Sequence, residues 1–354
     1  MQVAEAKLSR IDAGPERRGR MAAQAARLGV LSGDLELADT ASQQALHYYA
    51  ETDSEAGLLY AEALSERAKV VEQLGAPDDT ARAYDASVSA LIRHLGPDHP
   101  EVGGELLNRG LFRFYSGDSS GARRDFDAAL PALEDGGASD LVLRLVVAQT
   151  QLETMSGPVD AAQVRRIQSL YEDLPSDHPE KVATGGLLGS LYLRLDEPER
   201  ALALFSRILE ASRADAGLPR PTFAIDQSNV GECLLALGRL EEAERNFRAA
   251  RSVLESELPS DDLRLAYPLG GLGRVLVRQG RLELARPHLE RALELALDNP
   301  GDQLNLAYVR GSLALALEPS PRRNELLRLA KDAFRDLGVS TDTNEHQTQE
   351  PEDE

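Results

Sequence analysis

The sequence has no tryptophan, a single cysteine, and aromatic residues at only 5% of its 354 positions. The lone Cys233 cannot form an internal disulfide, which fits a reducing compartment. Lysine is confined to Lys7, Lys69, Lys181 and Lys331, so arginine carries almost all positive charge. Acidic residues outweigh it, and the formal net charge is −20. Nucleic-acid binders carry a basic patch or stripe, and none is visible, so nucleic acid is not an expected partner. The same balance opposes docking on an anionic membrane. No stretch approaches the ~18 uninterrupted apolar residues of a membrane-spanning helix. Even the run Leu141–Val147 is broken by Arg144. Met1–Lys7 lacks the apolar core of a signal peptide. Together these absences predict a soluble, cytoplasmic protein.

Leucine and alanine dominate the 42% hydrophobic content. Both favour helix, whereas the scarce aromatic residues favour strand. The apolar residues also recur at long range. Gly33, Gly75, Gly117 and Gly157 form a column with a step of about 40 residues, continued by Asp196, Gly238, Gly280 and Glu318. Seven positions before each stand Ala26, Ala68, Gly110, Thr150, Gly189, Gly231, Gly273 and Gly311. Five positions after the first column come Ala38, Ala122, Ala162, Ala201, Ala243 and Ala285. Bulky residues follow at Phe126, Phe205, Phe247 and Leu289.

This pattern describes a helix hairpin. Leu282, Ala285, Leu289, Ala292, Leu293 and Ala296 make one apolar stripe at helical spacing. Asp262 to Gln279 forms the partner helix, and Gly280-Arg281 is the turn between them. A glycine inside the first helix costs ~1 kcal/mol relative to alanine, so it needs a packing reason, and close helix–helix approach supplies one. A single hairpin buries too little apolar surface to offset the entropy of ordering its chain, so neighbours must stack.

The spacing small-x6-Gly-x4-Ala-x3-Phe-x2-Ala resembles the tetratricopeptide-repeat signature. It is clearest in Gly231…Gly238-Arg239-Leu240-Glu241-Glu242-Ala243…Phe247…Ala250 and recurs in Gly273…Gly280…Ala285…Leu289…Ala292. The period exceeds the usual 34 of that motif and resembles the longer kinesin-light-chain-like type. The loops Leu95–Val102 and Leu174–Val182 are similar to the connectors of that type. The resemblance implies an all-α, right-handed superhelical solenoid of about eight helix hairpins over residues 20–338. Residues 1–19 are then a capping helix or a partial repeat, and 339–354 a disordered acidic tail. In the fourth repeat Thr150 and Arg166 replace the small and bulky residues, which predicts displaced helices there. The eighth repeat ends in Glu318-Pro319-Ser320-Pro321 rather than a glycine turn, with a polar last helix from about Pro321 to Leu337.

Catalytic and metal motifs are missing. Gly185-Gly186-Leu187-Leu188-Gly189 and Gly270-Gly271-Leu272-Gly273 follow no strand and precede no Lys-Ser/Thr, so they are not phosphate loops. No HExxH, GxSxG or EF-hand pattern occurs. His99 and His178 sit in matching Asp-His-Pro-Glu runs, read as helix starts rather than metal ligands. The expectation is a non-enzyme with no cofactor and no metal.

The resemblance instead implies a partner groove lined by the first helix of each hairpin. Carried over position by position, the groove holds Lys69, Asn108, Leu111, Phe114, Gln151, Asn229, Glu232, Arg274, Asn305 and Tyr308, with Arg194 and Arg278 flanking it. Leu107, Ile225 and Ser228 map to the same wall. Asparagine suits a peptide-binding wall because its amide both donates and accepts. The alternative is that these polar residues are merely solvated. The implied partner is a protein or peptide, and the Lys/Asn carboxylate clamp of chaperone-tail binders is not recognisable. Nothing in the sequence sets the oligomeric state. The Ala-, Leu- and Arg-rich texture is also similar to the C-terminal repeat regions of bacterial Ser/Thr kinases, which makes a detached regulatory region without kinase activity the second expectation.

Overall fold

The computed structural model describes residues 14–50, 57–155, 157–175, 178, 180–214, 217–297 and 302–339. Residues 1–13 of the expected N-terminal segment and 340–354 of the expected tail lie outside these. Among the described residues the chain is all helical, with no strand. None of the helices is long and apolar enough to cross a membrane.

Among the described residues seven hairpins pack as pairs: α1 (Pro15–Ser32) with α2 (Leu35–Ala50), α3 (Gly57–Gln73) with α4 (Pro77–Leu95), α5 (Pro100–Tyr115) with α6 (Ser119–Asp135) and, after α7 (Ser139–Thr154) and α8 (Ala161–Asp173), which hold the place of the fourth pair in the sequence, α9 (Glu180–Arg194) with α10 (Pro198–Ala214), α11 (Arg220–Ala236) with α12 (Leu240–Glu257), α13 (Ala266–Arg278) with α14 (Leu282–Leu297), and α15 (Gln303–Leu315) with α16 (Pro321–Asp336). The first member of a pair is called helix A and the second helix B. The chain divides into two compact units, residues 1–152 and 153–354. The division falls inside the fourth pair, where the sequence departs from the repeat.

The columns read from the sequence form the packing core except in the fourth repeat, where Ala162 is exposed. Ala38, Ala122, Ala201, Ala243 and Ala285 are fully buried on the B helices. Phe126, Phe205, Phe247 and Leu289 lie under the small residue of their own A helix, also buried. A Cβ placed on Gly110 would stand 2.5 Å from the Phe126 ring, on Gly189 2.6 Å from Phe205, and on Gly273 2.4 Å from Leu289. The helical glycines therefore seat a large side chain of the partner helix. Phe247 is held twice, beneath Gly231 of α11 and Gly271 of α13, so one ring joins two hairpins. In the eighth pair Gly311 faces only Ala330, at an ordinary 3.7 Å.

The turn column takes the left-handed conformation except at Gly157 of the fourth repeat and Glu318 of the eighth. Gly238 and Gly280 end α11 and α13 at φ 71° and 72°, and Asp196 takes φ 59° in the same position without being glycine. His99 and His178 cap helices: each Nδ1 accepts a hydrogen bond at 3.2 Å from the backbone N–H two residues on, at Glu101 and Glu180. The seventh A helix starts later than its apolar pattern suggested. A 3-10 turn, Leu263–Leu265, precedes α13, and the Asp262 carboxylate accepts from the Arg264 N–H at its start. In the first unit Arg109 and Arg113 of α5 both grip the buried Asp125 of α6 and reach Asp85 of α4, tying the second hairpin to the third.

Two substitutions in one helix test the glycine seats. Gly186 of α9 has nothing within 4 Å of a new Cβ. Gly186→Ala should therefore stabilise by about 0.5–1 kcal/mol through helix propensity alone. Gly189→Ala should reverse that sign and destabilise by about 1–3 kcal/mol, because Phe205 must be displaced. Urea unfolding of both variants reads the difference, and equal shifts would contradict the packing role.

Candidate binding surface

Neighbouring A helices touch within each unit, and their contacts fix which side chains share a face. In the second unit Arg274 of α13 is only 7% exposed. It pairs with Glu232 of α11 at 2.6 Å and lies over the Tyr308 ring of α15 at 4.3 Å. Three successive A helices are thus linked by one side chain. Asn229 and Asn305 stand three residues before Glu232 and Tyr308, and so share this face. Both are half-buried, and neither side-chain amide has a hydrogen-bond partner within the described residues.

The row curves with its A helices inside. Helices pack about 8–10 Å apart, so α9 and α15 would lie roughly 24–30 Å apart in a straight stack. Instead Arg194 of α9 reaches residues at the far end of the row. Its Nη2 donates to the Leu337 carbonyl at 3.2 Å, beyond the end of α16. The same guanidinium donates to the Thr154 carbonyl at 2.9 Å and the Gly157 carbonyl at 2.8 Å. These include helix C-terminal carbonyls, which carry partial negative charge and lack intrahelical partners. Arg278 acts in the same way, donating at 2.6 Å to the Leu235 carbonyl near the end of α11. Arg194 therefore holds the two ends of the second unit together rather than merely flanking a groove.

In the first unit the mapped residues fall on α3, α5 and α7. Lys69 pairs with Glu66 at 3.5 Å. Asn108 donates to Glu105 at 3.3 Å, and Ser65 of α3 donates to the same carboxylate oxygen at 2.6 Å. This leaves the Asn108 carbonyl oxygen unused by that network. Leu111, Phe114 and Gln151 are half-buried on their helices, and the Phe114 ring lies 5.2 Å from Tyr115. Leu107 and Ser228, mapped to the wall, are instead buried at 0% and 4% exposure. Glu105 was missed, although a signal existed: five positions before the small-residue column, Glu105, Thr184 and Asp226 are all polar, and all three are buried.

No group of three or more His, Cys, Asp or Glu suited to a metal occurs among the described residues. Cys233 is fully buried. Burial, with the nearby Glu232 charge adding to it, pushes its thiol up to about 12, so it stays neutral and unreactive at ordinary pH.

Two outcomes follow. Arg194→Ala should speed backbone hydrogen exchange both at residues 154–158 and at 333–339 and lower stability by about 1–3 kcal/mol. Unchanged exchange at either end would refute the link. At pH 8 the folded protein should resist maleimide, with Cys233 labelled only across the unfolding transition, as followed by mass spectrometry in increasing urea.

Comparison with known proteins agrees with this geometry. Residues 224–298 match the family model described as tetratricopeptide repeat. This stretch covers the pairs α11/α12 and α13/α14. A search of curated protein sequences finds no match. Among solved structures, the apo form of the quorum sensor NprR from B. thuringiensis is similar with a TM-score of 0.60 and 13% identity, over 94% of this chain and 92% of that one. NprR in complex with its cognate peptide NprX aligns at a TM-score of 0.58 and 12% identity, over 89% and 88%. The apo form of RapI aligns at 0.57 and 15% identity, over 90% and 86%. These matches lend nothing to the kinase resemblance. The chain thus carries tetratricopeptide repeats at residues 224–298, within an all-α array whose fold is that of the Rap and NprR structures.

Proposed function

We propose that this chain is a non-catalytic scaffold that holds an extended peptide or protein segment along its A-helix face. The observation carrying this reading is the curved A-helix row of the second unit. Its inner side presents the amides of Asn229 and Asn305, free of protein partners, beside Arg274, Arg278, Glu232 and Tyr308. An amide in that setting offers a donor and an acceptor to a peptide backbone, independent of its sequence. Lys69, Asn108, Leu111, Phe114 and Gln151 form the corresponding wall of the first unit. Arg194 positions the row rather than contacting the ligand.

The comparisons support the reading at the level of fold. Tetratricopeptide repeats are interaction modules, and one of the similar structures, NprR, is seen with a cognate peptide. Nothing in the site resembles a nucleophile–base pair or a metal centre. An extended chain advances about 3.3–3.6 Å per residue, so roughly seven to nine residues span the straight length of four A helices.

A synthetic decapeptide array probed with the purified full chain tests the proposal. Selected decapeptides should bind the wild type, and Asn229→Ala combined with Asn305→Ala should weaken them by about tenfold with an unchanged unfolding midpoint. A loss of one hydrogen bond per amide accounts for that size. If no decapeptide binds, or the double variant binds as well as the wild type, the A-helix face is not the binding surface.

A further inference from the structure

The inner face of the second unit is locally positive in a chain of net charge −20. Three guanidiniums, Arg194, Arg274 and Arg278, stand with one carboxylate, Glu232. No other carboxylate among the described residues pairs with any of the three. Arg194 spends both its Nη atoms on three backbone carbonyls, although its Nε is buried without a partner. The other two guanidiniums have fewer acceptors. Arginine has five N–H donors. Arg274 directs one at Glu232 and rests its plane on Tyr308, while its Nε is buried with no partner. Arg278 directs one at the Leu235 carbonyl and is otherwise half-exposed on the same face.

A buried donor with no acceptor is costly, and two like charges side by side repel. The repulsion is relieved by an anion and worsened by a cation. Burial lowers the affinity of Arg278 for its proton, and the adjacent Arg274 lowers it further, which reports that proximity. The planar fork of arginine fits a carboxylate with two parallel hydrogen bonds.

Resting on the peptide-binding reading above, we infer that Arg278, backed by Arg274, forms a subsite for a carboxylate of the bound peptide, from either an Asp or Glu side chain or its C-terminus. Glu232 occupies Arg274 internally and so competes with that ligand. It excludes weakly held acidic segments and orients Arg274 over Tyr308 in the empty site.

The test uses decapeptides selected by the array, each made in four forms: with its Asp and Glu intact or changed to Asn and Gln, and with a free or amidated C-terminus. Binding is measured by calorimetry at fixed ionic strength. Loss of the contributing carboxylate should weaken binding to the wild type by about tenfold. Whichever pair of forms shows the loss identifies the source as side chain or terminus. In Arg278→Gln the difference between forms should vanish. Glu232→Gln, which removes the internal competitor without touching Arg278, should strengthen binding of the carboxylate form severalfold relative to the neutral form. If selected peptides bind equally in all four forms and Arg278→Gln does not alter them, the subsite is refuted while peptide binding stands. If no decapeptide binds at all, the peptide reading falls and this inference with it.

Discussion

The structure depends on how closely the two helices of a hairpin approach. A large side chain of helix B, phenylalanine in three repeats and leucine in a fourth, lies against an A-helix position that has no Cβ. Glycine is otherwise unfavourable inside a helix, so each such residue trades helix propensity for contact. The return is dispersion and burial over a whole ring. Phe247 shows why the benefit extends beyond one hairpin. Its ring sits between Gly231 and Gly271, on successive A helices, so the seat that closes one hairpin also spaces the next.

That spacing places polar groups of neighbouring A helices within reach of each other. Glu232, Arg274 and Tyr308 come from three helices and meet because the helices touch. In the first unit Ser65 and Glu105 meet for the same reason across α3 and α5. Such buried polar links are weak evidence for stability, since desolvation offsets their attraction. Their effect is orientational. Arg274 is held flat, Asn108 is turned by Glu105, and donors and acceptors are left pointing along the inner face. Arg194 adds the closure by joining helix ends that carry partial negative charge.

Much of this was legible in the sequence. The small-residue, alanine and phenylalanine columns are local signals, set by residues three to seven positions apart, and they land in the core except in the fourth repeat, where Ala162 is exposed. The Asp-His-Pro-Glu runs named their helix starts correctly, although proline and acidic residues were the clue and the histidine side chain proved to be the cap. The wall was less legible. Leu107 and Ser228 sit at a position mapped to the groove, yet both are buried, because a small change in helix rotation moves a residue from wall to core. Tyr308 occupies the same mapped position and stays half-buried, since Arg274 and Phe334 flank it.

The sequence by itself determined the hairpin: its length, its turn, its apolar stripe and the side chain that each glycine admits. These are short-range consequences of helical periodicity and residue volume. Only the tertiary structure decided that Arg194 meets the carbonyl of Leu337, 143 residues away, and that Arg274 is matched by one carboxylate while its buried Nε is left without an acceptor. Within the second unit, curvature accumulates from small rotations between successive hairpins. No single repeat contains it, and the charges that it gathers on the inside are set by that sum.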